Sequence, residues 1–180
     1  TKGIKGDLIV ALINDKNIIL IGMPGSGKST VGVVLAKALG YRFIDSDLLI
    51  QETLGDRLSE IIEKEGIPEF HRLENIINLR INPENTVIAT GGSAIYGEEA
   101  MNHFRQIGTV IYLKLSYEEI DKRLGDLKMR GITIKEGETL KDLYEERIPL
   151  YEKYAHVVLD TEGLMLRETV SEIISLKEAQ

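Results

Sequence analysis

The stretch Asn17-Ile18-Ile19-Leu20-Ile21-Gly22-Met23-Pro24-Gly25-Ser26-Gly27-Lys28-Ser29-Thr30 decides how this chain is to be read. Its first five residues are apolar and rich in β-branched side chains, the pattern of a strand covered on both faces in a parallel sheet. Gly22 to Ser29 satisfy G-x-x-x-x-G-K-[ST]. Beyond them Val31, Val34, Leu35, Ala38 and Leu39 recur on one helical face, and Gly40 supplies the stop. Strand, glycine loop and helix form the context that a nucleotide-binding loop requires. The plainer alternative is a glycine-rich turn with Ser29 or Thr30 as helix N-cap, and the context favours the nucleotide. Glycines let successive amides turn inward around phosphate oxygens, while the helix directs its positive end at the same anion. The expected nucleotide contacts are Gly25, Ser26, Gly27, Lys28, Ser29 and Thr30, with Lys28 bridging the β and γ phosphates and Ser29 placing its hydroxyl on Mg²⁺. The loop alone leaves ATP and GTP unresolved.

Outward from this loop the chain alternates strand and helix. Similar strands are predicted at Arg42 to Asp45, Thr86 to Thr90, Thr109 to Leu113 and His156 to Leu159. Helical patterns lie at Leu58 to Glu65, Glu69 to Leu79 and Ser116 to Leu124, and a last helix carries Leu166, Thr169, Val170, Ile173 and Ile174 on one face. Five strands with helical crossovers predict an α/β fold of three layers, a parallel sheet between helices. Gly125 to Gly137 breaks both periodicities and carries three glycines, as a mobile loop would. Residues 1–16 receive no role.

The 180 residues fit one domain of ordinary size. A hydrophobic share of 43% and a charged share of 28% describe a globular chain. The net charge of −7, from 22 basic and 29 acidic residues, repels nucleic acid and anionic lipid. Zero cysteines exclude disulfides and thiolate chemistry and agree with a reducing compartment. No apolar run approaches a membrane span, and the start, Thr1-Lys2-Gly3-Ile4-Lys5, lacks a signal peptide's apolar stretch. A cytoplasmic protein is expected, processed or trimmed at its first residue, with no nucleic-acid or membrane partner.

The second strand ends Phe43-Ile44-Asp45-Ser46-Asp47, two carboxylates at i and i+2 where open α/β sheets bind ligands. One can hold a water of the Mg²⁺ shell and the other can accept the proton of an attacking hydroxyl. Alternatively Asp47 or Ser46 caps the next helix. Here the sequence resembles the shikimate kinase family, small ATP-dependent kinases of the nucleoside monophosphate kinase fold that phosphorylate a hydroxyl of a carboxylated cyclohexene triol. The similarity runs from about Ile18 to Leu176 and rests on several ordered motifs: the phosphate loop, Phe43 to Asp47, Gly66 to Glu74, Ile88-Ala89-Thr90-Gly91-Gly92, and Glu146-Arg147-Ile148-Pro149-Leu150-Tyr151. The resemblance implies a sheet of order 2-3-1-4-5, a helical substrate-binding insert over about 46–80 and a lid over about 125–137. It implies ATP as phosphoryl donor, Mg²⁺ held through Ser29 and Asp45, and Asp47 on substrate hydroxyls. It also implies Gly91 and Gly92 against the substrate, Arg147 on its carboxylate, Arg130 as the lid arginine and Arg123 beside adenine. The expected catalytic set is Asp47, Lys28 and Arg130, in a chain acting as a monomer.

Two of these roles have a reading from the residues themselves. Arg147 shares a helical face with Leu140, Leu143, Tyr144 and Tyr151, where a charge needs an anion. That anion is either Glu74 in a salt bridge, which the residues alone favour, or a ligand carboxylate, which the resemblance favours. Pro149 is expected to end or kink this helix. Arg130, in a glycine-hinged loop, can swing in to neutralise transition-state charge. The family pattern is departed from at His71, Ser93 and Gly131, where an arginine, a glycine and a proline are expected. Arg72 stands one place along, about 100° around the helix from its neighbour. His71 could hydrogen-bond Glu74 or, if protonated, assist Arg147, and Ser93 could crowd the ligand or offer it a hydroxyl.

Overall fold

A computed structural model describes residues 17–124 and 132–178. The strands are β1 (Asn17–Ile21), β2 (Arg42–Asp45), β3 (Thr86–Ala89), β4 (Thr109–Lys114) and β5 (Val157–Asp160). They form one parallel sheet of order β2-β3-β1-β4-β5. The register places Ile19 beside both Ile88 and Val110. The helices are α1 (Lys28–Leu39), α2 (Ser46–Leu54), α3 (Leu58–Glu65), α4 (Ile67–Leu79), α5 (Glu98–Ile107), α6 (Tyr117–Leu124), α7 (Leu140–Tyr154) and α8 (Leu166–Glu178).

All five residues of β1 are buried, because this central strand is paired on both edges and covered on both faces. Its side chains alternate between two cores. Ile18 and Leu20 pack with Val31, Leu35 and Ile173 under α1 and α8. Ile19 and Ile21 pack with Met101, Phe104, Leu143 and Tyr151 under α5 and α7. A third, smaller cluster of Ile50, Ile61, Phe70 and Ile77 joins α2, α3 and α4, the 46–80 stretch. All strands run parallel, so the loops after β1, β2 and β3 emerge at one end of the sheet.

The predicted strands hold to within a residue or so, and the helices differ in instructive ways. α4 begins at Ile67 rather than Glu69, because Pro68 is well suited to a first turn that needs no N–H. α5 is not among the predicted helices, although it buries Ala100, Met101 and Phe104 along one face. Pro149 does not end α7, which continues to Tyr154. The carbonyl deprived of its donor belongs to Glu145, an exposed residue, while buried Tyr151 and Tyr154 anchor the final turn.

Candidate active site

The phosphate loop closes on its own lysine. The buried Lys28 Nζ donates to the carbonyls of Gly22 at 2.8 Å and Met23 at 2.9 Å. Burial lowers its pKa to about 8, against the raising influence of Asp47. Gly27 stands at φ 93°, a left-handed conformation that lets the chain pass from loop into α1. Ser26 Oγ is buried in this loop without a hydrogen-bond partner, as expected of a hydroxyl whose natural partner is a bound anion. Neither Ser29 nor Thr30 caps α1, whose N-cap is Gly27.

Beside the loop lies a cavity of about 240 Å³ lined by Ser26, Gly27, Thr30, Arg123, Thr161 and Leu164, among others. Arg123 is fixed there by Glu119 (Nε to Oε1, 2.7 Å) and reaches the Gly25 carbonyl at 3.4 Å. Its guanidinium thus borders the loop.

Asp45, at the end of β2, links two elements. Its Oδ2 accepts from Ser29 Oγ at 2.6 Å, and its Oδ1 caps α2 by accepting from the amides of Asp47 and Leu48. The helix cap is therefore Asp45, in place of Asp47 or Ser46. A hydroxyl and an oriented carboxylate beside a phosphate site fit a hard divalent cation that keeps several waters and shares phosphate oxygens. Among the described residues no cluster of three or more His, Cys, Asp or Glu could hold a metal by protein groups alone.

Capping by Asp45 directs Asp47, on the first turn of α2, toward the loop. Asp47 is half-buried. Burial raises its pKa to about 6, opposed by Lys28 and reinforced by Asp45. It shares a small cavity of about 60 Å³ with Pro24 of the loop, Gly92, Ser93, Thr133 and Arg147. Gly91 explains the fit: a Cβ there would collide with Asp47 Oδ1 and sit 2.9 Å from Glu74 Oε1. The turn from Gly91 to Ser93 is tied to three helices. The Gly91 amide donates to Ser46 of α2, the Ser93 hydroxyl donates to Glu74 of α4 at 2.7 Å, and Tyr151 of α7 donates to the Gly92 carbonyl at 2.6 Å.

Arg147 is 1% exposed and, among the described residues, has no carboxylate at ion-pair distance. It donates to Thr133 (Nη2 to Oγ1, 2.7 Å), and its guanidinium lies 5.4 Å from the centre of the Tyr96 ring. The internal pair with Glu74 does not form. A buried guanidinium held by neutral partners at the wall of a cavity is prepared for an anion supplied from outside.

His71 corrects an expectation. It stacks on Tyr96 at 4.6 Å and approaches Thr133 Oγ1 at 3.4 Å, and it makes no hydrogen bond with Glu74. Burial, Arg147 and Lys135 push its pKa down to about 4, so the ring is neutral and brings no charge to help Arg147. It borders a neighbouring cavity with Tyr96, Thr133 and Lys135, and Thr133 also lines the Asp47 and Arg147 pocket. Arg72 points away into an exposed pair with Glu69. Arg130 and Gly131 lie outside the described residues, as does most of the expected lid. Glu74, Tyr96 and Thr133 complete the site without having been placed in it from sequence. Glu74 alone left a signal there, as a candidate partner of Arg147.

The shikimate kinase family model matches residues 24–177. Shikimate kinase 2 of Yersinia enterocolitica is 39% identical over 150 residues, which cover 81% of this chain and 86% of that protein. Shikimate kinase of Thermodesulfovibrio yellowstonii is 39% identical over 162 residues, 88% and 93% of the two chains. Among solved structures, shikimate kinase from Acinetobacter baumannii in complex with shikimate superposes with a TM-score of 0.84 at 33% identity, covering 97% of each chain.

Proposed function

The chain belongs to the shikimate kinase family and is an ATP-dependent kinase, and from that premise we propose how its residues carry out transfer of the ATP γ-phosphoryl group to a hydroxyl of shikimate. The observation that carries the assignment of the acceptor site is Arg147, a buried cation with no carboxylate at ion-pair distance among the described residues, in the same cavity as Asp47 and Pro24 of the phosphate loop. The shikimate carboxylate pairs with Arg147, which orients the ring so that a hydroxyl lies at Asp47. Asp47 accepts the hydroxyl proton as the oxygen attacks the γ phosphorus in line.

Lys28 draws charge from the transferring group, and Arg130 joins it when the 125–137 segment closes and excludes water. Gly25, Ser26, Gly27, Ser29 and Thr30 hold the phosphates through the loop, with Arg123 beside the adenine. Gly91, Gly92 and Ser93 form the floor beneath the substrate, and His71 supports Arg147 through Thr133. Ser29 and Asp45 would hold Mg²⁺, which supplies charge neutralisation on the phosphates when bound. Among the described residues no helix is long and apolar enough to cross a membrane. We place the activity in the cytoplasm, in a monomeric enzyme.

The test is release of ADP by the pure protein with ATP, Mg²⁺ and a panel of hydroxy acids. Shikimate-dependent turnover is expected. Negligible turnover on shikimate beside turnover of another acceptor would reject shikimate as the substrate.

A further inference from the structure

Glu74 and Arg147 are both 1% exposed and both reach the turn of Gly91 to Ser93. A Cβ on Gly91 would lie 2.9 Å from Glu74 Oε1, and one on Gly92 would lie 3.0 Å from Arg147 Nη1. The two groups thus flank adjacent residues of one turn, yet among the described residues no ion pair joins them. Glu74 Oε2 is instead held by the Ser93 hydroxyl at 2.7 Å, and Oε1 is left without a partner. Ser93 therefore anchors Glu74 on one side of the turn while Arg147 stays on the other.

We propose that Ser93 is a positioning residue that keeps the Glu74 carboxyl off Arg147, so that Arg147 remains free for the acceptor carboxylate. The proposal rests on the shikimate kinase reading given above. Without the Ser93 anchor, Glu74 turns to Arg147 and occupies the acceptor site from within. Acceptor affinity then falls in proportion to the fraction of molecules with Arg147 free, about tenfold if one molecule in ten stays open.

Glu74 is surrounded by Asp47 of α2, Arg147 and Tyr151 of α7 and Ser93 of the turn. Burial, with Asp47 adding to it, raises its pKa to about 8, and the Ser93 hydrogen bond and Arg147 work in the other direction. This gives a readout that needs no acceptor. In Ser93→Ala a Glu74 that stays in place loses a stabilising donor and titrates higher, whereas one that pairs with Arg147 titrates lower.

The experiment follows the Glu74 carboxyl ¹³C shift against pH in the unliganded wild type and in S93A, and measures KM for shikimate and for ATP in both. A lowered midpoint, with KM for shikimate raised about tenfold and KM for ATP unchanged, is expected. In the double variant S93A/E74Q, which cannot form the ion pair, KM for shikimate recovers. A midpoint that stays or rises in S93A overturns the proposal, as does an unchanged KM or a failure of E74Q to rescue it. Should shikimate not be turned over by the wild type at all, the assigned substrate fails, and the NMR titration still decides whether Ser93 separates the two charges.

Discussion

The phosphate loop and the acceptor pocket meet at Pro24, but they are built in different ways. In the loop, Lys28 bonds carbonyls five and six residues away, and the conformation follows from consecutive residues between one strand and one helix. In the pocket, the turn of Gly91 to Ser93 is fixed by Ser46, Glu74 and Tyr151, at separations of 45, 19 and 59 residues. The loop is built from backbone groups and a single lysine, and the pocket from buried side chains of three helices. A backbone-built site leaves little freedom for substitution. A side-chain site can exchange partners, and His71 and Ser93 stand where the sequence departs from the family pattern.

That contrast can be broken most directly at Lys28. K28A is expected to lower kcat about a thousandfold with an unchanged circular dichroism spectrum, and activity within tenfold of wild type would show that the loop does not stabilise the transferring group through this residue. Asp47→Asn comes next: transfer falls about 10²- to 10⁴-fold while ATP binding by calorimetry is nearly unchanged. Full activity of D47N would remove Asp47 from the mechanism.

Arg147→Met separates the two regions more finely. KM for shikimate rises by about 30-fold or more, because a buried ionic contact with the ligand is lost. KM for ATP does not change, and the thermal midpoint is unchanged or raised, since an uncompensated buried charge is gone. Equal losses for both substrates would mean that the pocket and the loop are not independent.

The smallest effect concerns stability and pH. Glu74 titrates above its ordinary value of 4.5, near 8, so the folded protein retains a proton that the unfolded chain has released. The stabilising contribution is complete below about pH 4.5 and is lost as pH rises toward 8. Between pH 6 and 7.5 the wild type should lose stability relative to E74Q by on the order of 1 kcal/mol in urea unfolding. Parallel pH profiles would show that Glu74 is ionised throughout.

Much of this was legible in the chain. The strands are short apolar runs bounded by glycine or polar residues, and both core-facing sets of β1 follow from its period of two. α5 was missed although Ala100, Met101, Phe104 and Ile107 do recur at helical spacing on one face, a signal that the strand-by-strand reading passed over. α7 outran Pro149 because tertiary anchors at Tyr151 and Tyr154 outweigh one lost backbone bond. Arg147 announced that it needed an anion, but the choice between Glu74 and a ligand depended on where Ser93 put Glu74. His71 was named as a site residue, and its neutrality comes from the neighbours that enclose it.

The amino-acid order by itself determined the strand, loop and helix that hold phosphates, the alternation that builds a parallel sheet, and the carboxylate pair at the end of β2. These depend on backbone conformation and on side-chain period, both of which are properties of neighbouring residues. Only the tertiary structure decided which buried charges are paired, which hydroxyl holds which carboxyl, and that Arg147 stays open. Those outcomes depend on distances between atoms on separate helices and on the low dielectric of the space between them, and neither exists until the chain has folded.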